Sequence, residues 1–332
     1  MQARNVVILG TGKYLPVRRV QSDEMDRRLG TSEGWTLRKT DVHVRHFAVG
    51  ETASEMGAAA AYEALKDAGL RLSDIDCLVC ASGTAEQPIP CTAALIQKAM
   101  GGETSGIPCF DVNSTCLSFL TGLDVLSYLI DAGRYERVLL VSTEVASIGL
   151  NWRHKESGAL FGDGAAAVVI GRSAAGAVSK IVCSSMETYS QGAHLSEIRG
   201  GGTRIHPREH TADREEDFLF HMNGRGIFKM AAKLLPPFVD KLLLSAGLTM
   251  RDIHVVVPHQ GSAMAMRLIT EKLGISREQL VYITPNHGNT IAASIPMGLH
   301  EAAKQGRVNR GDRVLLLGTS AGLSLGGMVL VY

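Results

Sequence analysis

GLRLSDIDCLVCASGT (69–84) and GLTMRDIHVVVPHQGS (247–262) read as two versions of one passage: a Gly-Leu turn, an Asp-Ile step, then a short apolar strand ending in small and polar residues. A second pair keeps the same spacing. RVLLVSTE (137–144) parallels RVLLLGTS (313–320); Asp74 and Asp252 lie 178 residues apart, and Arg137 and Arg313 lie 176 apart. Two ordered matches with nearly equal displacement point to a duplicated unit rather than to chance likeness between apolar strands.

Around these passages the runs VVIL (6–9) and AAAVVIG (165–171) alternate with Ala/Leu-rich stretches such as AAAAYEALKDAG (58–69). That alternation predicts an α/β chain with mostly buried sheets. The expected object has two similar α/β halves, residues 1–172 and 173–332, packed about a pseudo-twofold axis. Between the repeated passages, GGGTRIHPREHTADREEDF (200–218) is Gly-rich, then heavily charged, with no sustained period. It reads as a loop insertion or cap carried by the second half alone.

Composition narrows the function classes. A chain of 332 residues with 45% apolar and 20% charged residues is large enough for an extensive core. Lys and Arg number 34 against 33 Asp and Glu, so no global field gathers nucleic acid or an anionic membrane; an acidic partner would meet a local patch. The apolar run near the N-terminus is too short for a signal peptide, and no window approaches the roughly 18 apolar residues of a membrane helix. A cytoplasmic location follows as the expectation. Six cysteines in a chain of this length do not form a disulfide framework, and a reducing compartment keeps them as thiols.

Three side chains carry candidate chemistry. FDVNSTCLSFLTGLDVLSYLIDAG (110–133) is a strand followed by a helix whose apolar face includes Phe119, Leu120, Leu123, Leu126 and Ile130, with Cys116 at its start. Free N–H groups and the positive end of the helix dipole beside the sulfur predict a lowered thiol pKa, and the same N–H groups can bind an oxyanion. A lone cysteine in an apolar run is more often a packing residue, and Cys77, Cys80, Cys91, Cys109 and Cys183 receive that reading. Partners separate Cys116 from them. VVVPHQGSAM (255–264) puts His259 just after a buried strand, where its ring can enter the cleft that a helix-start thiol from the other half faces. TPNHGNTIAASIPMGL (284–299) puts Asn289 on a glycine-containing turn ahead of an Ala-rich helix.

In order along the chain, GTGKYLP (10–16), SEGW (32–35), DVNSTCLSF (111–119), FGDGAAAVVIG (161–171), VPHQ (257–260), NHGNTIAAS (286–294) and GTSAGLSLGGMVLVY (318–332) resemble signatures of the β-ketoacyl-acyl-carrier-protein synthase III family of thiolase-like condensing enzymes. The resemblance covers essentially the whole chain. It implies a thiolase-like α/β fold layered α-β-α-β-α. It also implies that Cys116 takes an acyl group from acyl-CoA and that His259 and Asn289 hydrogen-bond a malonyl-carrier thioester as it loses CO2. The backbone N–H groups of Cys116 and Ala321 would receive the tetrahedral oxyanion. Acyl-CoA and the phosphopantetheine thioester of an acyl carrier protein enter as substrates, with no further cofactor, no metal and a homodimer expected.

The same resemblance assigns substrate contacts. Trp35 matches a position that stacks on the CoA adenine, with Arg38 and Lys39 near enough in sequence for phosphates, and Asn223 falls in a substrate-binding stretch. Ile89 matches a position that reaches across a dimer interface toward the acyl pocket, where a bulky aromatic restricts chain length; an Ile predicts acceptance of acyl groups longer than acetyl. Asn113, Ser114 and Thr115 before the nucleophile, and Leu117 and Ser118 after it, depart from the small residues common there and predict a differently shaped pocket. Arg225, Lys229 and Lys233, four apart, form a basic helix face suited to an acidic carrier, with Arg267 and Lys272 following His259.

Other readings are weaker. Gly10 and Gly12 lack the third glycine of a dinucleotide fingerprint. Cys77 with Cys80, and His206 with His210, have no second ligand pair at zinc-site spacing. Two functional alternatives keep the same residues: an acyl-Cys enzyme that transfers to an alcohol or amine or joins two acyl-CoAs head to head, and a silent partner subunit of an active paralogue.

Overall fold

Residues 3–332 are described by a computed structural model, in which the apolar runs build two sheets. The first has strands β1 (Val6–Tyr14), β2 (Cys77–Ala81), β3 (Cys109–Val112), β4 (Arg137–Glu144) and β5 (Gly164–Arg172), in the order β1-β5-β4-β2-β3. The second has β6 (Lys180–Thr188), β7 (Val255–Pro258), β8 (Arg313–Ser320) and β9 (Ser324–Val331), in the order β7-β8-β9-β6. Strand directions repeat: β2 is parallel to β4 as β7 is to β8, and in each sheet two antiparallel strands follow. The likeness reaches the hydrogen bonds. A single 3-10 turn precedes both β2 and β7, closed by Asp74 on the Arg71 N–H and by Asp252 on the Thr249 N–H, each at 2.8 Å.

Helices α1 (Ala53–Ala68) and α2 (Thr92–Ala99) cover the outer face of the first sheet. Helix α4 (Gly224–Leu244), with α5 (Ala263–Leu273) packed beside it, covers the outer face of the second. Helices α3 (Ser118–Asp131) and α6 (Ser294–Lys304) lie between the sheets, giving five layers, α-β-α-β-α. Because successive side chains of a strand point to opposite faces, one strand feeds two cores. Cys77 and Val79 face the central layer while Leu78 and Cys80 face α1 and α2; Val255 and Val257 face inward while Val256 joins the outer cluster built with α4 and α5. The apolar face expected on α3 is buried throughout, from Phe119 to Ile130. Burying each such side chain contributes about 1.5 to 3 kcal/mol.

Gly10 and Gly12 are explained by packing. A Cβ on Gly12 would come within 2.1 Å of the Ala60 carbonyl oxygen and 2.4 Å of the Ala64 N, so the bare backbone of β1 lets α1 lie directly on it. The charged 200–218 segment is braced by its own ion pairs, Arg199 and Arg214 on Asp217 and Arg214 on Glu209. Its ends close in a two-stranded ladder, Ser196–Glu197 with His221–Met222. Arg153 reaches Glu215 and Glu216, and Phe220 meets Phe161 edge-on at 5.3 Å, which docks the segment onto the body.

Replacing Gly12 by Ala should cost at least about 1 to 3 kcal/mol, because the added methyl meets helix backbone rather than a side chain that can swing away. Thermal unfolding of Gly12→Ala checks this; an unchanged Tm would contradict the close approach.

Candidate active site

Beyond β3 the chain turns through Asn113 and Ser114 into one 3-10 turn, Thr115–Leu117, before α3 begins. Thr115 holds φ at +52°, a left-handed conformation that a β-branched residue rarely adopts. Two short bonds hold it: Asn113 Oδ1 accepts the Thr115 N–H at 2.9 Å, and the Ser118 hydroxyl reaches the Thr115 carbonyl at 2.6 Å. Leu117 is wholly buried in the central core, so the turn is anchored one residue after Cys116. Cys116 thus precedes the α-helix by one tight turn and keeps part of its surface open.

His259 follows β7, and Gly318 on neighbouring β8 shows what surrounds it. A Cβ there would stand 2.9 Å from His259 Cβ and 3.0 Å from Leu117 Cδ2, so His259 and the turn that carries Cys116 flank the same glycine. His259 Nδ1 is 2.7 Å from the Ser294 hydroxyl at the start of α6, and Nε2 has no protein partner among the described residues. Gln260, wholly buried, ties this strand end to the segment leading to Asn289: its Oε1 accepts from Ile283 N, Thr284 N and Thr284 Oγ1, and its Nε2 donates to the Val281 carbonyl.

Asn289 is buried and clamped from both sides. Its N–H donates to the Leu160 carbonyl at 3.0 Å and its carbonyl accepts the Gly162 N–H at 3.1 Å, which seats it on the FGDG segment. Its Oδ1 accepts the Ile291 N–H at 2.9 Å, fixing the amide so that Nδ2 points its hydrogens away, toward the Gly261 carbonyl at 3.3 Å. Gly83, after β2, completes the enclosure: a Cβ there would meet Ile291 Cγ2 at 2.9 Å and the Thr115 backbone at 3.4 Å. Ala321 sits in the turn joining β8 to β9. Cys116, His259 and Ala321 all follow the carboxyl ends of parallel-running strands, where α/β sheets leave room for ligands.

The electrostatics depart from the sequence expectation at one point. The Cys116 thiol is not lowered by the helix start: burial and, second, the Glu144 carboxylate push it up to about 12, opposed only by its own backbone N–H. Cys109 is likewise raised by burial, to about 11, and Cys77, Cys80 and Cys183 are raised in the same direction. Burial drives His259 down to about 4, so the ring is neutral at pH 7. Cys116 and His259 therefore face the site as a thiol and a neutral imidazole, not as an ion pair.

The remaining sequence candidates lie around this centre. Trp35 opens the short helix Trp35–Thr40 and packs with Trp152 on the cluster of Val20, Met25, Leu29, Phe47 and Ala159, while Lys39 is exposed beside it. Asn223 caps α4 by accepting the Gly226 N–H at 2.9 Å and lines a cavity of about 430 Å³ with Asn151, Arg153, His154 and Met222. Ile89 is 85% exposed on the loop between β2 and α2. Arg225, Lys229 and Lys233 stand exposed on α4, and Arg267 and Lys272 on α5. Three structural partners escaped the sequence reading: Glu144, Gln260 and Ser294. A carboxylate closing an apolar strand in RVLLVSTE was the available signal for Glu144; nothing in the sequence marked Ser294.

Comparison with known proteins bears on the same elements. The family model described as 3-oxoacyl-[acyl-carrier-protein] synthase III matches residues 110–190, and that of its C-terminal part matches 243–332. The β-ketoacyl-[acyl-carrier-protein] synthase III of Acidiphilium cryptum is 37% identical over 330 residues, covering 99% of this chain and 100% of that protein. The enzyme of the same name from Clostridium acetobutylicum is 32% identical over 328 residues, with 99% of both chains covered. A crystal structure of 3-oxoacyl-[acyl-carrier-protein] synthase III from Aquifex aeolicus superposes with a TM-score of 0.88 at 31% identity over 100% of both chains.

His259 supplies a pH test. Folding lowers the imidazole from 6.5 to about 4, so the unfolded chain binds this proton more tightly than the folded one. The associated stability is complete above pH 6.5 and is lost as the pH falls from there to about 4, a change of about 3 kcal/mol. NMR titration should show His259 neutral and unshifted down to about pH 5; an inflection near 6.5 would contradict its desolvation.

Proposed function

Because this chain belongs to the 3-oxoacyl-[acyl-carrier-protein] synthase III family, we propose that Cys116 is the acyl-accepting nucleophile and that His259 and Asn289 stabilise the enolate of the second substrate. The chain is a condensing enzyme of the acyltransferase type. In the first half-reaction Cys116 gives up its proton as its sulfur bonds the carbonyl carbon of an acyl-CoA, and CoA leaves as the thiol. In the second, a malonyl thioester on a carrier protein loses CO2, and the electron pair of the broken C–C bond becomes an enolate. The enolate carbon bonds the acyl carbon, the Cys116 sulfur leaves and regains a proton from solvent, and a 3-oxoacyl thioester departs.

The observation that best supports this reading is the pair of neutral groups beside the nucleophile turn: an imidazole held at Nδ1 by Ser294, and an amide whose Oδ1 is already occupied so that Nδ2 donates. Neutral donors stabilise a developing oxyanion without handing its carbanion a proton, and losing one such donor costs about 10² to 10³ in rate. The Cys116 and Ala321 N–H groups are assigned to the tetrahedral oxyanion.

Further assignments belong to the same proposal. Trp35, Lys39 and Asn223 contact the CoA or phosphopantetheine arm, and the exposed Arg225, Lys229 and Lys233 face meets the acidic carrier. The enzyme works in the cytoplasm as a homodimer of chains with halves 1–172 and 173–332, in which Ile89 reaches the partner's acyl pocket and admits chains longer than acetyl. No metal and no cofactor beyond the two thioester substrates takes part. Among the described residues no helix is long and apolar enough to cross a membrane.

Intact-protein mass after incubation with acyl-CoAs from acetyl to long chain, then with malonyl-carrier protein, tests the proposal. Selective acylation discharged with CO2 release is expected. Acylation that malonyl-carrier protein fails to discharge indicates a transferase or a head-to-head condensing enzyme, and no acylation indicates a silent subunit. Cys116→Ala should abolish acylation, whereas His259→Ala should still acylate and lose condensation by about 10² to 10³.

A further inference from the structure

The loops that carry the reacting groups converge on a carboxylate that the chemistry above does not use. Glu144 closes β4 and is wholly buried. Its Oε1 accepts the Gly83 N–H at 2.6 Å and the Ala292 N–H at 3.3 Å; its Oε2 accepts the Thr84 N–H at 3.0 Å and the Thr84 hydroxyl at 2.6 Å. No basic side chain pairs with it among the described residues. Gly83 and Thr84 lie beside the Cys116 turn, since a Cβ at Gly83 would stand 3.4 Å from the Thr115 backbone, and Ala292 belongs to the 3-10 turn that follows Asn289 and leads into Ser294.

Resting on the functional reading above, we infer that Glu144 is a positioning residue, whose carboxylate pins the turn carrying Asn289 and Ser294 to the loop beneath Cys116 and so sets the spacing between the nucleophile and the enolate-binding pair. A hydrophobic side chain could fill the same space, but it would leave the N–H groups of Gly83, Thr84 and the buried Ala292 without this acceptor. The carboxylate reaches both loops at once because Oε1 accepts from Gly83 and Ala292 together while Oε2 holds Thr84. Its charge also bears on the nucleophile. Of the titratable groups packed around it, Cys80 and Cys116 feel its field, and His259 is neutral. Burial holds Glu144 itself up to about 7 against the bonds from Thr84, Gly83 and Ala292. While ionised it adds to the burial that keeps Cys116 a thiol.

Two variants separate reach from charge. Glu144→Asp keeps the charge and shortens the side chain; Glu144→Gln keeps the length and removes the charge. Each is measured for iodoacetamide alkylation of Cys116 from about pH 6 to 10 and for CO2 release from malonyl-carrier protein with an acyl-CoA primer, after circular dichroism has shown it folded. For Glu144→Gln, loss of the negative charge should move the alkylation profile about one unit toward lower pH. Glu144→Asp should leave that profile in place and slow CO2 release about tenfold or more. The inference is overturned if Glu144→Asp releases CO2 at the wild-type rate, or if the Glu144→Gln profile superposes on the wild type. Should Glu144→Gln not fold, Glu144→Asp still decides the positioning role. Wild-type protein that releases no CO2 would instead overturn the functional reading, while the alkylation profiles would still report on Glu144.

Discussion

The structure depends on a helical layer buried between two sheets. Helices α3 and α6 have no solvent-facing alternative for their apolar sides, because the inward residues of both sheets close over them. Leu117 illustrates the consequence. It is held at the boundary between the Cys116 turn and α3, and glycines at 318 and 326 on the hairpin of the second sheet make room for it. Packing density of this kind transmits position, since an interior filled to crystal-like density does not let one element slide past another. Cys116, from the first sheet's layer, is thereby located against His259, from the second.

Polar groups could not be left to chance in such a layer. Two of the side-chain amides are fixed by partners that cannot turn away. Gln260 uses its whole side-chain amide on the segment between Pro258 and Thr284, and Asn289 Oδ1 accepts the Ile291 N–H while Nδ2 donates to the Gly261 carbonyl. Burial without such partners costs about 1 to 3 kcal/mol per group, so these bonds are part of why the turns hold one shape. The same burial that makes the bonds rigid raises the Cys116 thiol and lowers the His259 ring, leaving both neutral.

Much of this was legible in the sequence, for a physical reason. Strands buried on both faces read as unbroken apolar runs, and two copies of the same run at nearly one displacement reveal a repeated sheet even where helices differ. Of the candidate residues only His259 directly follows such a run; Cys116 was legible at a helix start and Asn289 on a glycine-containing turn. The thiol's electrostatics were not. A helix start predicts a lowered pKa, but Cys116 sits one 3-10 turn before α3, closely surrounded, and faces a carboxylate 28 positions further along the chain. Neither the surroundings nor Glu144's direction follows from local pattern. Ser294 was invisible for a related reason: a serine opening an Ala-rich helix looks like any other until the fold brings an imidazole to it.

A raised thiol pKa and a working nucleophile are compatible once the timing of charge is considered. A free thiolate in this cleft would be a buried anion beside a second buried anion, and desolvation opposes both. In the proposed attack the charge passes from sulfur to the thioester oxygen, which the proposal assigns to the backbone N–H groups of Cys116 and Ala321. Stabilisation then falls on the transition state rather than on the resting enzyme, which is the condition for it to raise the rate. The helix start beside Cys116 contributes in the same way. Its field is of little use to a sulfur that stays protonated at rest, and of most use when negative charge appears within the first turn.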